Sequence, residues 1–460
     1  MKLAVKWQAL IIVCLGIFMS TLDGSILNIA NPTISDKLHV SMQEVQWVVT
    51  SYMLVITSSL LFFGKLGDRL GGHKIFTGGF FLFTLGSFFC SLAPSLVLLI
   101  AARCFQAAGA SMLMATGIGI ISNTFPGDER GKALGITGSV VGLGNMVGPS
   151  LGGFLVAYFS WPAIFLINVP IGIASFYLSY RYLAPQESCT GSTFYDLKGN
   201  LFFALSIIVL VLSVSLSAGV NVIYLALGLG LLAVFYLYER RIESPMLELD
   251  LFHNKFFTYG NLMGVATYST QTAVFFLLPF YLQSLLNYSP ASSGLFMTIP
   301  TICMAITAPL AGSLSDRIGP SRLTSIAFLL MTAGYLILSS LGPQRNLLAI
   351  ISGLVLFGIG VASFGSPNTS SILGSISRSQ AGYAGGFMAT VRNFSFSLGI
   401  ALSVSLFSHM LSSGQRVMSY AQSYTRALHW VYLSVAAVSF CALMLSVITS
   451  QVRQNHLADQ

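Results

Sequence analysis

Asp23, Arg103 and Arg392 sit deep inside apolar runs of this sequence. An unpaired charge in hydrocarbon costs at least about 2.5–3.5 kcal/mol on insertion scales, so each must face a partner or water. A buried carboxylate opposite a guanidinium suits one chemistry above others, the reversible binding of a proton. Burial and a neighbouring cation act in opposite senses on a carboxyl's proton affinity, so a cation that moves or re-pairs switches the acid between loading and release. The alternative at Asp23 and Arg103 is a permanent ion pair that only orients two helices. Arg392 would bind an anionic or hydrogen-bonding group, or hold its helix to neighbouring carbonyls.

The elements that must position these residues are set by composition. Charged residues are 8% of 460 and hydrophobic ones 55%, against roughly 25% charged in soluble domains. Lipid is therefore the expected solvent. Runs of about twenty apolar residues predict an all-α polytopic membrane protein of fourteen spans, arranged as six, two and six. A six-helix bundle is expected over 1–183, two additional helices with linkers over 184–256, and a second six-helix bundle over 257–460. The first span is read as a retained helix and not a signal peptide. Lys6, Lys65, Arg69, Lys74, Arg130 and Arg241 fall on one side, with most other basic residues, while only Lys37, Arg345, Arg416 and Arg426 fall opposite. That bias places both termini in the cytoplasm, as expected of a bacterial inner-membrane protein. Asp23 in the first span and Arg103 in the fourth each lie about 8 residues, roughly 12 Å at 1.5 Å per residue, from the outer surface, so they can pair.

Several functions are excluded by what the chain lacks. The formal charge of +8 is a topology signal and not a nucleic-acid footprint. No phosphate-binding Gly-x-x-x-x-Gly-Lys-Ser/Thr loop, nucleophile–base set or metal-ligand spacing is present, so neither enzyme nor cofactor is expected. Cys14, Cys90, Cys104, Cys189, Cys303 and Cys441 are scattered without a disulfide pattern.

Two further patterns concern motion. Gly64-Lys-Leu-Gly-Asp68-Arg69-Leu-Gly71 returns as Gly312-Ser-Leu-Ser-Asp316-Arg317-Ile-Gly319, which implies two similar halves with a substrate site between them. In each copy the Asp carboxylate is expected to bond the start of the next helix while the Arg crosses the loop, forming a cytoplasmic latch from Gly64, Asp68, Arg69, Asp316 and Arg317. The fifth span carries Gly144, Gly148-Pro149 and Gly152-Gly153, spaced for close helix contact and for a hinge or gate. The ninth span, with Asn261, Tyr268 and Gln271, is a candidate cavity wall.

These residues resemble the major facilitator superfamily, and within it the fourteen-helix drug/proton antiporter branch. Gly64 to Lys74 is similar to its loop motif, with Gly67 in place of Ala and Gly72 in place of Arg. Arg103, Gln106 and Gly109 match the fourth-helix motif, whose Arg the resemblance implicates in proton transfer. Gly135, Gly144, Gly148-Pro149 and Gly152-Gly153 fit the antiporter motif of the fifth helix. Leu22-Asp23-Gly-Ser25 through Pro32 resembles the first-helix motif, with Ser25 where Thr is usual, and Trp161 to Gly172 resembles the sixth. The resemblance implies a proton-coupled multidrug efflux antiporter taking small amphipathic substrates by alternating access, and a monomer is expected to suffice. The substrate candidates are Asp23, Arg392, Asn261, Tyr268 and Gln271. Export of a lipid-like, siderophore-like or anionic metabolite is the alternative, favoured by Arg392 and by the lack of acids in the last six spans.

Overall fold

The computed structural model describes residues 5–184, 196–215, 220–242, 249–377 and 380–458. The first bundle contains α1 (Val5–Lys37), α2 (Met42–Leu70), α3 (Gly72–Ser91), α4 (Leu96–Thr124), α5 (Gly127–Tyr158), the single turn α6 (Ala163–Leu166) and α7 (Asn168–Tyr182). The additional pair is α8 (Leu197–Ser215) and α9 (Val222–Glu239). The second bundle contains α10 (Lys255–Phe280), α11 (Pro290–Ile318), α12 (Pro320–Ser339), α13 (Leu347–Leu373), α14 (Ala381–Gly414) and α15 (Tyr420–Ala458). Thirteen helices among the described residues are long and apolar enough to cross a membrane, with α6 and α7 counted as one. The fourteenth, α10, falls outside that set by composition, because Asn261, Thr267, Thr270 and Gln271 interrupt its apolar run. The expected fourteen-helix membrane fold is the one observed.

The chain forms two compact units, one of Met1–Leu210 with Val222–Leu247 and one of Val211–Asn221 with Glu248–Gln460. In the first unit α9 packs back on α8, with Phe203 and Phe235 ring centroids 5.3 Å apart. Asp196 caps α8 by accepting from Gly199 N at 2.8 Å and ties α9 to it by accepting from the Tyr238 hydroxyl at 3.0 Å. The five described cysteines are free thiols. Cys189 and the linker residues Pro185, Glu243, Pro245 and Glu248 lie outside the described residues.

The sequence repeat is a structural repeat. α2 and α11 are each 29 residues and α3 and α12 each 20. Gly71 at φ 96° joins the first pair and Gly319 at φ 90° the second. A side chain at such φ is strained, which accounts for the motif's last glycine. The two amides donate to Gly67 O and Ser315 O, both at 2.9 Å.

The latch geometry expected at these turns needs correction. Asp68 and Arg69 are exposed, and neither makes a hydrogen bond or ion pair with the described residues. Because Gly71 turns the chain at positive φ, the backbone closes the turn without a carboxylate cap. Gly64 has open space around it, Arg317 is exposed, and the Asp316 side chain lies outside the described residues. Gly67, the departure from the family's Ala, has a structural reason: a Cβ there would meet Thr116 Cγ2 of α4 at 2.6 Å.

Glycines also bring helices together inside each unit. A Cβ at Gly109 would run into the backbone of Phe83, and one at Gly86 into that of Gln106, so α3 and α4 meet backbone to backbone. Gly334 against Phe357 and Gly360 against Met331 do the same for α12 and α13. On α5, Gly144 faces Thr21, Gly148 faces Ser25 and Gly152 faces Ile26 of α1. Ser25 donates to Gly144 O at 3.1 Å. Serine in place of the family's Thr leaves α5 room to approach.

Candidate functional site

The buried charge of the first unit is assembled from six elements. α1 supplies Asp23, and α4 supplies Arg103 and Gln106, three residues apart and therefore on one face. α3 brings Ser87. The break between α6 and α7 at Ile167 sets Asn168 as the first residue of α7. α2 contributes the Val48 carbonyl and the Tyr52 ring.

Arg103 Nη1 lies 2.6 Å from Asp23 Oδ2, with both side chains 0% exposed. The same nitrogen donates to Gln106 Oε1 at 2.6 Å, and Nε donates to Val48 O at 3.2 Å. Asp23 Oδ1 accepts from Gln106 Nε2 at 2.9 Å and from Asn168 Nδ2 at 3.1 Å. Gln106 Nε2 also donates to Ser87 Oγ at 2.8 Å. The guanidinium carbon stands 3.9 Å from the Tyr52 ring centroid and 5.6 Å from that of Phe165. Three donors thus hold one carboxylate. Besides this carboxylate the guanidinium meets amide and carbonyl oxygens and an aromatic face.

The expected meeting of Asp23 and Arg103 is therefore present in the geometry. Sequence reading did not foresee that Gln106 and Asn168 also bind the carboxylate. The i, i+3 spacing from Arg103 was the available signal for Gln106. For Asn168 the available signal was its place in the Trp161–Gly172 motif, which gave no contact, because the break at Ile167 decides where it points.

The second unit holds the remaining candidates. Asn261 donates to Phe257 O on its own helix at 2.8 Å. Tyr268 packs edge-on against Phe364 and Phe396, at 6.3 and 5.6 Å between centroids. Arg392 is half-buried on α14. It makes no hydrogen bond or ion pair with the described residues, so it does not lock α14 to neighbouring carbonyls. Gln271 is buried.

Setting the repeats in register shows why only one unit carries the charge. The interval from Gly64 to Gly312 carries Asp23 onto Gln271 and Ser87 onto Tyr335. Tyr335 donates to the neighbouring Thr270 hydroxyl at 3.0 Å. Matching the seam glycines Gly109 and Gly360 puts the buried Leu354 where Arg103 stands. The second unit thus has an uncharged version of the first unit's site.

At the basic end of the first unit, Lys6 of α1 pairs with Glu129 of α5 at 2.5 Å, with side chains 30% and 40% exposed. Solvent screens such a pair. Glu129→Gln is expected to lower stability by less than about 1 kcal/mol, and less still in high salt. Thermal unfolding of the purified variant checks this, and a loss near that of a buried pair would contradict it.

The Major Facilitator Superfamily description matches residues 13–400 and 260–456. This chain belongs to the major facilitator superfamily. It is 46% identical over 442 residues to the riboflavin transporter RibZ of Clostridioides difficile, covering 96% of this chain and 97% of that protein. It is 32% identical over 407 residues to the multidrug resistance protein Stp of Mycobacterium tuberculosis, covering 87% of this chain and 75% of that one. A bacterial homologue of the lysosomal transporter Spinster superposes with a TM-score of 0.70 at 13% identity, covering 98% of each chain, which supports the fold alone. Membership makes this a multi-pass membrane transporter and not an enzyme. Its relatives in the superfamily include multidrug resistance proteins.

Proposed function

We propose that this chain carries an uncharged, flat, hydrogen-bonding heterocycle of riboflavin's class across a bacterial cytoplasmic membrane, coupled to protons bound at Asp23. The observation that carries the substrate reading is the engagement of Asp23. Its carboxylate is wholly buried and bonded to Arg103, Gln106 and Asn168, which leaves none of its charge for a cationic solute. From Lys255 to Ala458 the sole acid is Asp316, at the end of α11. What α10 and α14 offer instead is amide, phenol and guanidinium, from Gln271, Tyr268 and Arg392. Those groups suit ring carbonyls and hydroxyls, and the extensive identity to a riboflavin transporter agrees.

The coupling reading rests on the Asp23–Arg103 network as a two-form device. With the termini in the cytoplasm, the inward proton gradient would supply about 2.3 kcal/mol per charge per 100 mV from its electrical part. A second reading, proton-driven export of amphipathic drugs, is favoured by the α5 glycines packed on α1 and by the multidrug resistance relatives.

Proteoliposomes with an imposed pH gradient separate the two. Saturable riboflavin flux, unaffected by excess quaternary ammonium amphiphiles, is the expected result. Transport of those amphiphiles without riboflavin flux would replace the first reading with the second. Asp23→Asn is expected to abolish the response to the gradient while leaving riboflavin exchange at equal pH.

A further inference from the structure

The first unit contains buried polar atoms that the Asp23–Arg103 network leaves over. Asn31 is 0% exposed, and neither its amide nitrogen nor its oxygen has a partner. Gln46 Oε1, Thr50 Oγ1 and Arg103 Nη2 are likewise buried and unpartnered. Each such group costs about 1–3 kcal/mol if nothing meets it. In native proteins, internal water usually does.

Their placement has a direction. Asn31 lies eight residues, about 12 Å, beyond Asp23 along α1, toward the α1–α2 turn. Gln46 and Thr50 lie one helical turn apart on α2, between that turn and Tyr52, whose ring stacks on Arg103. Val48, whose carbonyl accepts from Arg103, falls between them. Pro32 adds to the set, because it has no N–H to give the Asn28 carbonyl. Toward the basic end the buried hydroxyls of α1, α2 and α4 bond within their own helices, Ser20 to Gly16 O at 3.0 Å, Thr57 to Met53 O at 2.7 Å and Thr116 to Met112 O at 2.7 Å, and Val13, Phe76, Phe80 and Leu113 beside them are at most 1% exposed.

The geometry points to a file of ordered waters inside the first unit, bridging Asn31, Gln46 and Thr50 to Arg103 and Asp23. Through this file protons reach the carboxylate from the outer side. The inference rests on Asp23 being the proton-binding group. About four waters at ~2.8 Å spacing cover the distance. Each hop passes one proton between neighbouring waters. The last converts the Asp23 carboxylate to a carboxyl and leaves water behind. Arg103 Nη2 donates to the terminal water, and its charge disfavours a hydronium resting there.

The test follows Asp23 itself, so it needs no transported substrate. The full-length protein in proteoliposomes receives a jump in external pH with the internal pH clamped, and infrared difference spectroscopy follows the protonated carboxyl band. Asp23→Asn identifies that band by removing it. Thr50→Val, Asn31→Leu and Gln46→Leu are expected to slow its appearance about ten- to hundredfold with unchanged final amplitude. Thr50→Ser is expected to restore the rate, and Ser175→Ala, a buried hydroxyl two turns along α7 from Asn168, to leave it unchanged. Wild-type rates in all three apolar variants would overturn the file while leaving Asp23 as the proton site. A band that Asp23→Asn does not remove would overturn the reading beneath it as well.

Discussion

Arg103→Leu is expected to destabilise the protein by about 3–5 kcal/mol, more than any other single change at the site. It strips the buried Asp23 of its counter-ion and leaves Gln106 and Asn168 as the carboxylate's remaining donors. Arg103→Lys is a poor substitute, because one ammonium cannot keep the Asp23 and Val48 contacts while lying flat on Tyr52. Asp23→Leu combined with Arg103→Leu removes both charges, and apolar replacement of a whole buried pair is often neutral. The double variant should therefore unfold at a higher temperature than Arg103→Leu alone, yet show no response to a pH gradient. Thermal unfolding in detergent and gradient-driven flux read the two effects separately. An Arg103→Leu variant as stable as the parent would mean that the pair is not what holds α1 to α4.

The second large effect is expected at Gly148. A Cβ there would overlap Ser25 Oγ, would come within 2.7 Å of Ser25 Cβ, and would stand 3.1 Å from the amide of Ile26. Gly148→Val therefore forces α5 away from α1, an overpacking that costs about 1–3 kcal/mol, and it is expected to abolish transport. Gly148→Ala paired with Ser25→Gly removes the main overlap and should recover most of the flux. Gly138→Ala, where nothing lies within 4 Å of the added carbon, should behave like the parent in stability. Equal stability losses at both glycines would show that the seam is not selective.

Much of this architecture was legible in the sequence because the bilayer imposes it. Apolar runs of spanning length, the one-sided basic residues and the Gly64–Gly71 and Gly312–Gly319 repeat are each direct consequences of lipid and duplication. The meeting of Asp23 and Arg103 followed from equal depth, because two opposite charges in hydrocarbon have few other partners. The Asp68 turn was misread, because whether a carboxylate or the backbone closes a turn depends on the φ of Gly71, which composition does not reveal. The Lys6–Glu129 tie was missed for a related reason: the two residues are far apart in sequence and only α1–α5 packing joins them.

The sequence by itself determined the solvent, the number of spans, the duplication and which residues carry charge into the membrane, since each is fixed by transfer free energy along a single chain. Tertiary structure alone decided that Gln106 and Asn168 complete the carboxylate's partners, which seam glycines put Leu354 at the position matching Arg103, and that Asn31, Gln46 and Thr50 are buried with polar atoms left unpartnered. Those are relations between helices, set by which glycines let backbones touch and by where α6 breaks from α7.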